Sequence, residues 1–179
     1  RRSLAGLLFA AGPAAAGAEV GPAASEPSEE DIAALRGAFA AVRKIGDFPS
    51  KASVAEADAR LTDSLGRWRA RGAAAAPSEV SAILRKRAYV RLRGGNADAA
   101  LSDLDAALDL CRAAGSSPSV EFEEMPKVLA GRADVLAEGR RWREALADYD
   151  QAAALLGEPL EDPGLLSGRA AVQQQLGRW

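Results

Sequence analysis

The 179-residue sequence has no histidine, one cysteine and one methionine, and only 5% of it is aromatic. Without histidine, the usual general base and the commonest metal ligand are both missing. The lone cysteine, Cys111, can form neither an internal disulfide nor a cysteine zinc site. Its expected place is in the core as a small hydrophobe, with a redox-sensing thiol as the alternative. Charge of one sign is lacking too. Lys and Arg number 23 and Asp and Glu 25, a net charge of −2, so no global field draws nucleic acid or an anionic membrane. No G-x-G-x-x-G, phosphate loop or G-x-S-x-G is found. "LRGGNAD", Leu92 to Asp98, has the glycines but no preceding strand and no following Lys-Ser or Lys-Thr, so it reads as a helix–helix turn. The expectation is a chain without catalytic residues, cofactor or metal.

What is present is alanine. The hydrophobic fraction is 48%, and much of it is Ala. Ala-rich sequence poor in β-branched residues favours closely packed helices.

The head of the chain reads as an address. Arg1 and Arg2 precede an apolar run from Leu4 to Ala11, Pro13 breaks the run, and Ala16 to Ala18 supply small residues at alternate positions. This is the layout of an export signal with an A-x-A cleavage site, over residues 1–18, and Arg1, Arg2, Ser3 and Leu4 resemble a twin-arginine signal. The run is too short to span a membrane. The alternative is an Ala/Gly-rich linker. Residues 19–30, rich in Pro, Ser, Gly and Glu, read as a disordered linker. Ser28 with Asp31 resembles a capping box. The first residue is Arg and the last, Trp179, opens a pattern, so a segment of a longer chain is expected.

From Asp31 onward the apolar spacing is three and four, without a period-2 run. Ala145, Tyr149, Ala152 and Leu156 form one helix stripe, and Leu129, Ala133 and Leu136 form another, with Gly139 and Trp142 at the turn between. Upstream the pattern recurs. Leu84 and Ala88 lead to Gly94 and Gly95, Asn96 caps, and Ala100, Leu104 and Ala107 follow. It starts again with Asp162 as cap, Pro163 at the first position, then Leu166 and Ala170.

This phrase resembles the tetratricopeptide repeat, a helix–turn–helix unit with a period of about 34 residues. Ala88 to Ala100 and Ala133 to Ala145 are each 12 residues, while Ala88 to Ala133 is 45 and Ala133 to Ala170 is 37. Loop insertions account for the excess, at Ala114 to Glu124 and Leu156 to Asp162. A degenerate repeat covers Asp31 to about Gly72, with Gly46 to Phe48 as its turn, Ala57, Leu61 and Leu65 on its second helix and Trp68 closing it. Two departures stand out: Gln173, where a large apolar residue is expected, and an extra residue in "GRRW". The resemblance implies an all-α fold, an α-solenoid of antiparallel helix pairs of about 3.5 repeats over residues 31–179, truncated in its last repeat. The signal together with "ADYDQA" and its counterpart "SDLDAA" is similar to thylakoid-lumen repeat proteins of plants and algae. A bacterial exported repeat protein is the alternative compartment reading.

Such stacks curve, and first helices line a concave groove that holds a peptide or partner helix. Carried onto this sequence, the groove positions are Arg85, Tyr89 and Arg93, then Lys127, Asp134 and Glu138, then Ser167 and Gln174. Basic residues at one end suit an acidic or carboxylate-ended protein partner. The Asn pair of the chaperone-binding carboxylate clamp is absent, because Tyr89 and Asp134 take the matching places. Asp103, Asp105, Asp148 and Asp150 are expected on a solvated helix face, and so are Lys86 and Arg87. The implied function is a non-catalytic interaction scaffold; the rival is a regulatory or docking domain of a larger enzyme.

Overall fold

The computed structural model describes residues 26–46, 49–72, 76–115, 123–157 and 162–177. Among these it contains helices and no strand: α1 (Glu29–Arg43), α2 (Lys51–Ala70), α3 (Pro77–Arg93), α4 (Ala97–Ala113), α5 (Met125–Glu138), α6 (Trp142–Leu156) and α7 (Pro163–Gln175). The expected export signal, the turn residue Phe48 and the terminal Trp179 lie outside the described residues. No described helix is long and apolar enough to cross a membrane.

The helix starts follow from side chains that satisfy first-turn N–H groups. Ser28 Oγ accepts from the Asp31 N–H at 3.1 Å, and Asp31 accepts in return from the Ser28 N–H at 3.3 Å. Ser28 is therefore the cap itself, so α1 begins at Glu29 and takes in the last two residues of the expected linker. Asn96 and Asp162 cap α4 and α7 as expected, with Pro163 in the first turn. The turn after α3 places Gly95 at φ 81°, and the turn after α5 places Arg140 in the same region at φ 57°. These turns share one register: two residues and a cap separate the glycine-ended helix from the next. "GRRW" thus carries no extra residue; Arg140 simply stands where the earlier turn uses glycine. Arg141 makes no cap hydrogen bond and instead grips Glu144 at 2.7 and 2.6 Å.

Small residues set the helix contacts. Ala57, Ala100, Ala107, Ala133, Ala145 and Ala152 are fully buried, and Trp68 and Tyr149 fill the space between helices. At Gly168, a Cβ would come within 2.7 Å of the Tyr149 ring, so only glycine lets α7 lie this close to α6. Two stripe residues fall outside the core. Leu156 ends its helix and is 44% exposed, and Leu166 is 43% exposed. Among the described residues α7 packs only on α6 and α5, so Leu165 and Val172 are buried in place of Leu166 and Ala170. Gln173, on the same flank as Leu166, is only partly buried, which removes the penalty for a polar residue there.

Consecutive helices pack in pairs, and each pair packs on the next. Beyond these, the substantial contacts link α1 to α3, α3 to α5 and α5 to α7. First helices therefore form the crowded inner layer and second helices the splayed outer one, which curves the stack.

The two layers are tied by arginines. Arg87 donates to Asp103 from Nε at 2.9 Å and Nη2 at 2.7 Å, and from Nη1 to Thr62 at 3.1 Å. Arg132 repeats this with Asp148 at 2.7 and 2.8 Å and with Asp105 at 2.8 Å. Arg169 reaches Asp150 at 2.7 Å. Arg91 adds bonds to Asp103 at 2.9 Å and Asp58 at 2.7 Å. The expectation of a solvated face is overturned for three residues: Asp103 and Asp148 are each 5% exposed and Arg87 is 9% exposed. Their spacing is helical, but the outward face of one helix is the inward face of the next pair.

Asp103 holds two guanidinium groups out of water, so Asp103→Ala should cost about 3–5 kcal/mol, the range for halving a buried pair. Asp109→Ala, which loosens an exposed contact to Arg112 at 3.7 Å, should cost no more than about 1 kcal/mol. Urea melts of the two variants check this; equal midpoints would refute the buried tie.

Candidate functional site

On the inner layer, α1, α3, α5 and the start of α7 enclose a cleft of about 580 Å³. Its floor is apolar, with Val42, Ala88, Leu104 and Leu165 among the lining residues. Four cations stand around it: Arg43 from α1, Arg85 and Lys86 from α3, and Lys127 from α5. Tyr89 projects into it with 44% of its surface exposed, an unusual state for a ring in an otherwise alanine-lined fold. Asp134 and Asp162 also line it.

Electrostatics divides these groups. Arg85 Nε and Nη2 donate to the Glu124 carboxylate at 3.3 and 3.5 Å, and Lys127 Nζ approaches the same carboxylate at 3.5 Å. Lys86 sits amid this cluster. Burial draws its ammonium below the ordinary lysine range, and Arg85, Lys127 and Arg43 push the same way against the opposing pull of Glu124. The Tyr149 hydroxyl donates to Asp134. Burial raises the Asp134 carboxyl; the tyrosine hydroxyl works against that shift and Glu138 adds to it. The Tyr149 hydroxyl is itself pushed up, first by burial and then by Asp134. The lining thus sets four cations against two carboxylates, although the whole chain is near neutral.

Of the residues expected in a groove, Arg85, Tyr89, Lys127 and Asp134 share this cleft. Arg93 does not. It lines a separate cleft of about 640 Å³ with Lys51, Asp58 and Arg91, and its Nη2 donates to the Gly46 carbonyl at 3.1 Å. Eight residues of helix advance about 12 Å and rotate by about 80° beyond two turns, enough to carry Arg93 round the shoulder of α3. Glu138, Ser167 and Gln174 are exposed and lie outside both clefts.

Arg43, Lys86 and Asp162 complete the cleft, and Glu124 pairs with two of its cations, without having been expected there. Lys86 is adjacent to Arg85 in sequence, and its role depends on the curve of the stack rather than on its own helix. Glu124 ends an insertion with no counterpart in the other repeats, so repeat alignment is silent about it. Cys111 is buried, as expected, and burial pushes its thiol up, opposed by a hydrogen bond with Ser81. Among the described residues no cluster of His, Cys, Asp or Glu could hold a metal.

No protein-family model matches the chain, and no curated protein does either. A solved structure described as the first TPR of Spaghetti (RPAP3) bound to HSP90 peptide SRMEEVD is similar in fold. The TM-score is 0.59 at 17% identity, over 84% of this chain and 95% of that one. The chain has the tetratricopeptide repeat fold, an all-α solenoid of helix pairs.

If the cations interact as their positions require, Arg85→Gln should move the Lys86 ammonium back up toward the ordinary lysine range. Nitrogen-detected NMR titration of Lys86 reads this directly. An unmoved midpoint would show that the two charges do not share the cleft.

Proposed function

We propose that the chain is a non-catalytic interaction scaffold whose inner cleft holds an extended, acid-rich peptide segment of a protein partner. The observation that carries this reading is the convergence of Arg43, Arg85, Lys86 and Lys127 around an apolar floor with an exposed tyrosine. Apolar contact and stacking on Tyr89 supply affinity without sequence demands. The cations select carboxylates and speed the encounter. A structural relative that holds a peptide supports the class of ligand, and its peptide is acidic at one end. The matching Asn pair of a chaperone clamp is absent here, so the partner proposed is a protein with adjacent carboxylates rather than a chaperone.

A decapeptide alternating Glu and Ala is the probe, with a Gln and Ala decapeptide as control. Calorimetry should detect the acidic peptide only, with affinity that falls as salt rises. Arg85→Glu with Lys127→Glu, confirmed helical by circular dichroism, should lower that affinity roughly tenfold or more. Binding that survives the double reversal unchanged would sink the assignment.

We further propose export, with action outside the compartment of synthesis, the thylakoid lumen or a bacterial periplasm. Support comes from Arg1 and Arg2, the short apolar run and Ala16 to Ala18. Fused to a reporter, residues 1–18 should direct cleavage near Ala18, and Arg1→Lys with Arg2→Lys should block twin-arginine transport. Transport by the Lys pair at the parent rate would refute that route.

A further inference from the structure

Two of the cleft's cations already share a carboxylate. Glu124 lies between Arg85 and Lys127, and its side chain is 12% exposed. We propose that Glu124 is an internal stand-in for the partner's carboxylate, an autoinhibitory contact that an incoming acidic segment must displace. The inference rests on the acidic-peptide reading and adds to it how that site is regulated.

Three observations carry it. The first is geometric looseness. The structural arginines hold their aspartates at 2.7–2.9 Å, while Glu124 meets Arg85 at 3.3 and 3.5 Å and Lys127 at 3.5 Å. Those are the outer limits of a hydrogen bond, so little is lost on exchange. The second is the lack of another task. Glu124 occupies the cap position of α5, yet its side chain makes no cap hydrogen bond. The third is stoichiometry. Glu124 pairs with Arg85 and Lys127 and makes no ion pair with the other two lining cations, Arg43 and Lys86. The cleft is neutralised in part only, which leaves it attractive to an anion while the best two donors are held.

The consequence is selectivity. A ligand with one carboxylate merely replaces Glu124 and gains little. A segment with adjacent carboxylates replaces it and also engages Arg43 and Lys86. The affinity seen in the wild type is reduced by the fraction of molecules in which Glu124 occupies the site.

The test is a double-mutant cycle read by calorimetry with the Glu and Ala decapeptide. Glu124→Gln should tighten binding roughly fivefold or more. In the Arg85→Gln background the same substitution should gain less than half as much, because the lock it removes is already broken. A general effect of removing one negative charge would persist undiminished in that background and would overturn the proposal. Equal binding by wild type and Glu124→Gln would overturn it too, and would leave the acidic-peptide reading intact. If neither protein binds the decapeptide, that reading fails and the stand-in fails with it. Binding by Glu124→Gln alone would support the stand-in in its strongest form.

Discussion

The stack depends on a guanidinium shared between neighbouring helix layers. Arg87, Arg132 and Arg169 each precede a small residue on the first helix of a pair. Arg87 and Arg132 reach one acceptor in their own pair and one in the pair before, and Arg169 reaches back to Asp150. Alanine faces are smooth and allow helices to slide. A planar fork that must meet a carboxylate with two parallel bonds does not. Such buried pairs add little net stability over apolar replacements, since both ions are desolvated. What they fix is register, and register sets the curvature from which the cleft follows.

The same chemistry explains why neighbouring arginines on one helix have different fates. Arg87 faces Asp103 in the outer layer and is spent on structure. Arg85, two residues earlier, turns toward α5 and meets only the loosely held Glu124. Two residues of helix rotate a side chain by about 200°, so the pair divides between the two faces of α3. The cleft cations are therefore ones the ladder does not use. Arg93 falls between these faces and joins neither set, bonding instead to the Gly46 carbonyl.

Tyr149 shows the coupling of core to cleft. Its ring occupies the gap that Gly168 leaves on α7, while its hydroxyl reaches Asp134 in the cleft lining. Packing of the last helix and the polarity of the cleft thus share one side chain. A change that moves α7 would change the environment of Asp134.

Much of this was legible in the residues. The three-and-four spacing, the buried alanines at positions 100, 107, 133, 145 and 152, and the caps at Ser28, Asn96 and Asp162 are local properties, and the structure keeps them. The arginine ladder was missed, although its residues recur in "KRAYV", "GRADV" and "GRAAV" and in the paired aspartates of "SDLDAA" and "ADYDQA". Taken helix by helix, those aspartates look solvated, and only the third dimension puts them inside. The site was half legible. Arg85, Tyr89, Lys127 and Asp134 follow from repeat register, whereas Arg43 and Glu124 come from an irregular first repeat and an insertion. The sequence by itself determined that helices form, where they start and which stripe is apolar, because these depend on interactions within a turn or two. Only the tertiary structure decided which charges are buried, which converge and which carboxylate pairs with the cleft cations. Those outcomes depend on the rotation of one helix pair against the next, a quantity no single helix contains.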